Sequence, residues 1–149
     1  MRQATGSREI EGRCHCGNIR FALHLPASGS RIPVRACGCT FCRKHGGVYT
    51  SDPKGRLEVR VADEGRVTNY RFGTGTADFH VCSTCGVVPV VTSTIEGRRY
   101  AVVNVNCFEG VGPAELDRSE SDFEGEATET RLARRQRNWI PDVTIDTGS

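Results

Sequence analysis

Eight cysteines in a chain of 149 residues constrain this sequence most, because seven of them fall into short groups. The groups are Cys14 with Cys16, Cys37 with Cys39 and Cys42, and Cys82 with Cys85, while Cys107 stands alone. Structural zinc sites use four protein ligands, whereas catalytic zinc sites use three and leave one position open. The grouping therefore predicts metal binding, with two pairs suited to a closed site and one trio suited to an open one.

Disulfide bonds explain this grouping less well. Residues 1–12 are polar and charged, so we expect no secretory signal, and no uncharged apolar run approaches the ~20 residues of a membrane span. We therefore expect a cytoplasmic protein whose thiols stay reduced. Eight cysteines also permit about 105 disulfide pairings, and none of them requires closely spaced cysteines followed by glycine.

Composition favours one small domain with a modest core. Apolar residues make up 37% of the chain and there are 17 glycines, so cross-linking by zinc would help to stabilise the fold. The net charge of +2 lacks the basic excess of a dedicated nucleic-acid binder, and we expect neither a nucleic-acid nor a membrane partner. The sequence leaves the oligomeric state open.

Short alternating apolar segments predict a mainly β domain. Ile19, Phe21 and Leu23 form one such segment, and Leu57, Val59 and Val61 form another. Further strands are predicted at residues 32–36, 48–51, 67–72, 78–82, 87–92 and 100–105, and a helix at residues 128–139. The predicted organisation is a flexible head at residues 1–8, one domain at residues 9–140 and a flexible tail at residues 141–149.

The two cysteine pairs predict a structural zinc site. Sulfur atoms around zinc lie roughly 3.8 Å apart, closer than alternate residues of a straight strand, so Cys14 and Cys16 must occupy a bend. Gly17 and Gly86 follow the two pairs directly and can adopt the positive φ angles of tight turns. Spacing alone does not decide the pairing, since either pair could instead join two cysteines of the trio.

The trio predicts an open, catalytic type of site. Two alternatives would close it, with either Cys107 or His45 as a fourth ligand. Three thiolates on Zn²⁺ leave a net negative charge, so we expect Arg43 and Lys44 to hold the charge of an incoming thiolate. The other interpretation of these two cations is a solvated turn.

Four segments carry a resemblance to a known family. They are GRCHCGNIRF at residues 12–21, ACGCTFCRK at residues 36–44, FHVCSTCG at residues 79–86 and VNVNC at residues 103–107. Together they resemble the glutathione-dependent formaldehyde-activating enzyme family, which also includes centromere protein V. Thr40 stands where that family more often has serine. Beyond Cys107 the likeness fades to a loose echo at residues 123–125.

The resemblance implies a β-tent fold of small antiparallel sheets around two zinc ions. It implies a structural zinc on Cys14, Cys16, Cys82 and Cys85, and a catalytic zinc on Cys37, Cys39 and Cys42 where glutathione binds. The implied activity is that of a carbon–sulfur lyase, which adds glutathione or a similar thiol to formaldehyde or another small aldehyde and gives S-hydroxymethylglutathione.

Three further interpretations complete the predictions. Asn104 is assigned to the substrate pocket, although a structural role in an adjoining turn is its alternative. Arg131, Arg134, Arg135 and Arg137 are assigned to a solvated helix face rather than to a binding surface. The competing functions are a zinc-stabilised binding module without turnover, which Cys107 as a ligand would favour, and a redox sensor built on the trio.

Overall fold

A computed structural model of the protein describes residues 7–26 and 31–148. Two α-helices are present in these residues, α1 (Thr40–His45) and α2 (Thr128–Asn138). The strands are β1 (Ser7–Arg13), β2 (Ile19–Pro26), β3 (Ile32–Cys37), β4 (Val48–Thr50), β5 (Arg56–Val61), β6 (Val67–Tyr70), β7 (Asp78–Cys82), β8 (Val90–Ile95), β9 (Arg98–Asn104), β10 (Leu116–Ser121) and β11 (Asp142–Asp146). The prediction of a mainly β, single-domain protein is confirmed.

The strands form two sheets. The smaller sheet has the order β1-β2-β5-β11, and the larger has the order β10-β3-β4-β9-β8-β7-β6. Most neighbours are antiparallel as predicted, but β10 pairs with β3 and β11 pairs with β5 in parallel. Both parallel strands come late in the sequence and pair with strands from the first half of the chain. Long-range packing rather than a hairpin turn therefore sets their direction.

Each face of the larger sheet carries a hydrophobic core. In β9, Ala101 and Val103 belong to the core shared with the smaller sheet, whereas Tyr100 and Val102 belong to a second core that contains Trp139. Successive side chains of a strand point to opposite faces, which explains why this strand is apolar at every position from Tyr100 to Val103. The larger sheet is therefore buried on both sides here.

All the predicted strands overlap observed ones, and the helix predicted at residues 128–139 is α2. Three strands and α1 were not predicted. In β10 most side chains are polar and exposed, so no alternation marks it, and α1 is six residues long with only Cys42 buried. Neither element offers the periodic apolar face on which sequence prediction depends.

The chain ends also differ from the prediction. Residues 142–146 lie in the predicted flexible tail, yet they form β11, whose Val143 and Ile145 pack against the first core. Of the predicted head, residues 1–6 lie outside the described residues, and β1 begins at Ser7. No described helix combines the length and the apolar character needed to cross a membrane.

Candidate metal centres and adjoining cavity

The structure brings the two cysteine pairs together, as the family resemblance implies and as spacing alone left open. One sulfur atom from each of Cys14, Cys16, Cys82 and Cys85 lies within 4.8 Å of all the others. The Cys14 and Cys16 sulfurs are 3.8 Å apart, and those of Cys16 and Cys82 are 3.5 Å apart. These separations suit a tetrahedral metal with Zn–S bonds of about 2.3 Å. This first cysteine group could therefore hold a metal ion with four thiolates.

Two glycine turns give the first group its shape. Gly17 has a φ of 87° and its N–H donates to the Cys14 carbonyl, while Gly86 has a φ of 81° and its N–H donates to the Cys82 carbonyl. Side chains other than glycine rarely adopt this left-handed backbone. The predicted role of both glycines is confirmed. Because Cys14 and Cys82 are fully buried, the group joins the first hairpin to the larger sheet inside the core.

Cys107 lies with the first group and not with the trio. It packs in the same core as Cys14 and Cys82. Burial raises the pKa of the Cys107 thiol to about 12, and the neighbouring Cys14 and Cys85 add to the increase. Closure of the trio by Cys107, one of the alternatives left open by the sequence, is therefore not seen.

The trio is built where β3 ends and α1 begins. Cys37 is the last residue of β3, Cys39 caps the N-terminus of α1 by accepting a hydrogen bond from the Cys42 N–H, and Cys42 is the buried residue of α1. Their sulfur atoms lie within 4.8 Å of one another. Within the described chain, no histidine, carboxylate or further cysteine joins this second group at that distance, so it offers three ligands.

Hydrogen bonds divide the charge unequally within the second group. A hydrogen bond from the Cys42 thiol lowers the pKa of Cys37 to about 6, although burial opposes ionisation. The same hydrogen bond raises the pKa of Cys42. The Tyr49 hydroxyl lies 3.3 Å from the Cys42 sulfur and 3.3 Å from His45 Nε2, so His45 contacts the tyrosine rather than completing the group. Within this group the negative charge is therefore favoured on Cys37 over Cys42.

The second group opens onto a cavity of about 310 Å³. This volume is at the lower end of the ~300–1,000 Å³ typical of small-molecule sites. Aromatic side chains form much of its wall, namely Tyr49, Phe72, Phe79, Phe123 and Trp139. Four arginines also line it, namely Arg35, Arg131, Arg134 and Arg135. A small molecule bound here would contact thiols, aromatic rings and guanidinium groups together.

Three of the four arginines of α2 line this cavity, so the predicted solvated position is wrong for them and right only for Arg137. Arg131, Arg134 and Arg135 are spaced three and four residues apart and therefore share one side of the helix. That side carries the buried Arg135, whereas Arg137 is exposed. The inward-facing cations were overlooked because sequence prediction treats charged helix positions as solvated by default.

The three residues predicted to bind substrate lie outside the cavity wall. Arg43 and Lys44 are exposed on α1. The amide of Asn104 is hydrogen-bonded to backbone at both ends, to the Val88 carbonyl and to the Asn106 N–H, which fits its alternative structural role. Arg35 lines the cavity instead and interacts electrostatically with Cys37. The roles predicted for Arg43 and Lys44 stay predictions.

Residues 123–126 complete the cavity. Thr40 donates to Glu124 through its hydroxyl, at 2.7 Å, and through its backbone N–H. Glu126 accepts hydrogen bonds of 3.0–3.3 Å from the Arg134 guanidinium, whose carbon lies 3.5 Å from the centre of the Phe123 ring. This segment, which the sequence marks only as a loose echo of the family, therefore connects α1 to α2 across the site.

The pair of Glu126 and Arg134 predicts a defined acid sensitivity. Hydrogen bonds from Arg134 lower the pKa of Glu126 in the folded state. The pair therefore stabilises the fold fully above the unfolded pKa of about 4.3, and this contribution is lost as pH falls through the lower folded pKa. We expect Glu126→Gln to reduce the unfolding free energy by about 2 kcal/mol at pH 7 and by progressively less at acidic pH.

Denaturant unfolding of both proteins between pH 3 and pH 7 measures this difference. Glu129→Gln is the matched control, because Glu129 lies three residues further along, is exposed in the first turn of α2 and forms no ion pair with another described residue. A loss of stability in Glu126→Gln that does not change with pH would show that the ionised carboxylate is not the stabilising form.

The fold and these groups define a class of protein. This is a mainly β protein in which one face of a sheet carries a four-thiol group with two buried members and the other face carries a three-thiol group beside a cavity. The family model described as glutathione-dependent formaldehyde-activating enzyme matches residues 9–125. The chain belongs to this family.

Individual relatives agree with this assignment. A Halomonas elongata protein that carries the family's name is 31% identical over 83 residues, which is 51% of this chain and 51% of that protein. The match thus spans about half the length of this curated relative. A crystal structure of a Rhodobacter sphaeroides protein is similar with a TM-score of 0.52 and 31% identity, covering 73% of this chain and 99% of the other.

Proposed function

We propose that this protein is a zinc-dependent enzyme of the carbon–sulfur lyase type. In this proposal it binds glutathione or a similar thiol and adds it to formaldehyde or another small aldehyde, giving S-hydroxymethylglutathione. The observation that carries the proposal is the three-thiol group that opens onto a cavity. Family membership and the name of the Halomonas elongata relative support the choice of substrates.

The donor atoms of both cysteine groups fit zinc. Thiolates are soft ligands that favour zinc over magnesium or calcium, and the sulfur separations in the first group match a tetrahedral site. The first group would be closed by its four thiolates and stabilise the fold. Zinc held by Cys37, Cys39 and Cys42 would supply a fourth coordination position for the sulfur of a thiol.

The residues around the cavity can assist this chemistry through their positive charge and by excluding water. Arg35 places positive charge near Cys37, which favours a second anionic sulfur beside the trio. Arg43 and Lys44, on the solvent side of α1, are proposed to add to the same positive potential from outside the cavity. The aromatic wall limits water around a bound aldehyde.

The proposed addition is balanced without an oxidant or a reductant. The thiol releases its proton, its sulfur forms a bond to the aldehyde carbon, and the carbonyl electron pair moves to oxygen, which takes up a proton. The alternative of a binding module without turnover was tied to closure of the trio by Cys107. Because Cys107 packs beside Cys14 and Cys82, no observation favours that alternative.

X-ray absorption of the zinc-loaded protein tests the proposal. We expect added glutathione to increase the average number of sulfur neighbours per zinc, and S-methylglutathione, which has no free thiol, to leave it unchanged. Carbon-13 exchange spectroscopy of formaldehyde and glutathione should show faster exchange with S-hydroxymethylglutathione when the protein is present. An unchanged zinc environment together with an unaccelerated exchange would refute the proposal.

A further inference from the structure

Arg135 is a buried cation without a carboxylate partner among the described residues. Its side chain is 6% exposed, and Nη1 donates to the Thr76 hydroxyl at 2.9 Å and to the Ser93 hydroxyl at 3.1 Å. Both partners are neutral. Its Nε is buried and has no hydrogen-bond partner. The guanidinium lies 4.9 Å from the centre of the Trp139 ring and lines the cavity.

Arg131 repeats this pattern one helical turn earlier. Its Nη2 donates to the backbone carbonyls of Phe123 and Glu126, while its Nε is buried without a partner. The nearby Glu126 carboxylate is already engaged by Arg134. Within residues 7–26 and 31–148, no carboxylate lies at ion-pair distance from Arg131 or Arg135.

Such an arrangement is unfavourable unless an anion completes it. Burying an unpaired cation costs several kcal/mol in proteins, and Arg131 and Arg134 add like charge beside Arg135. Burial and these neighbours lower the pKa of Arg135 to about 10, so the group keeps its charge at neutral pH. Arg131 and Arg135 both line the cavity without a described carboxylate at ion-pair distance, which points to a ligand that supplies negatively charged oxygen atoms.

We propose that Arg131 and Arg135 form a carboxylate subsite that selects thiols carrying a carboxylate group. This inference rests on the proposed function, because the cysteine trio and the two arginines line one cavity and a single ligand can therefore reach both. A guanidinium fork matches the two oxygens of a carboxylate. Both arginines lie beyond residue 125, where the match to the family ends, so family membership does not itself supply them.

Calorimetric titration of the zinc-loaded protein with matched ligands tests the subsite. 3-Mercaptopropionate is compared with 3-mercapto-1-propanol, and S-methylglutathione is compared with its diester, which lacks free carboxylates. We expect each ligand with free carboxylates to bind at least tenfold more tightly than its counterpart without them. Equal affinities within both pairs would overturn the inference, as would inorganic phosphate competing better than S-methylglutathione.

Substitutions on α2 identify the residues that cause the carboxylate preference. We expect Arg131→Gln and Arg135→Met to lose most of the carboxylate preference while binding of the neutral thiol is retained. Arg137→Gln, exposed on the same helix, should keep the full preference. If both variants fold with normal metal content and keep the wild-type preference, the subsite lies elsewhere. If Arg135→Met fails to fold, Arg131→Gln and the wild-type ligand pairs still decide.

Different results would refute the proposed thiol chemistry and the proposed carboxylate subsite. Tight binding of S-methylglutathione that depends on Arg131, together with a zinc environment unchanged by glutathione, would support the subsite and refute the thiol chemistry. A thiol-dependent zinc environment with equal affinity for neutral and carboxylate ligands would support the chemistry and refute the subsite.

Discussion

Replacing Cys82 by serine is expected to release one equivalent of zinc and to leave the chain largely unfolded. Cys82 is fully buried, and its sulfur lies 3.5 Å from that of Cys16 in the first group. Structural zinc contributes about 10–16 kcal/mol in small zinc-binding domains, whereas a whole domain is stable by only about 5–15 kcal/mol. Loss of this ion therefore removes as much free energy as the entire fold retains.

Metal analysis and far-ultraviolet circular dichroism measure this result. Cys107→Ala is the matched control, since Cys107 is buried in the same core but belongs to neither four-thiol nor three-thiol group. It should keep both zinc equivalents and lose about 1 kcal/mol of stability. A folded Cys82→Ser protein with both equivalents, or a Cys107→Ala protein lacking one, would show that the ligand set is wrong.

Replacing Cys39 by serine is expected to abolish the second metal centre without unfolding the domain. The Cys39 sulfur caps α1 by accepting from the Cys42 N–H, and serine is among the best residues for this position. The cap should survive while the thiolate is lost. With only Cys37 and Cys42 remaining, we expect the loss of one zinc equivalent and of the entire response of the zinc environment to glutathione.

Thermal unfolding and X-ray absorption of Cys39→Ser check both halves of this expectation. The midpoint should stay within a few degrees of the wild-type value, because the first group is intact. Cys107→Ala serves again as the control that keeps the glutathione response. Retention of that response by Cys39→Ser would place thiol binding away from the trio.

The contrast between these two variants follows from where the groups lie. Cys14 and Cys82 are buried in the core between the two sheets, and the first group joins the first hairpin to β7. The trio lies within six consecutive residues on the opposite face of the larger sheet. A local group constrains little of the chain, whereas a group that closes a long loop constrains much of it.

Secondary structure could be predicted where apolar and polar side chains alternate along the sequence. β2 and β5 follow the period of two, and β7 was placed with the observed bounds. β10 was missed because its edge position requires no apolar face, and β11 because two apolar residues in a polar tail give too short a pattern. Residues that pair across long sequence distances carry no local signal of their partner.

The sequence by itself determined the two cysteine pairs and the trio, the turns at Gly17 and Gly86 and the mainly β class, because ligand spacing and alternation are local properties. Only the tertiary structure decided that Cys107 accompanies the first group and that Arg131 and Arg135 face the trio's cavity. β3, β7 and α2 meet there through long-range packing. A buried arginine and a solvated one look alike in sequence, since the difference lies in what packs around them.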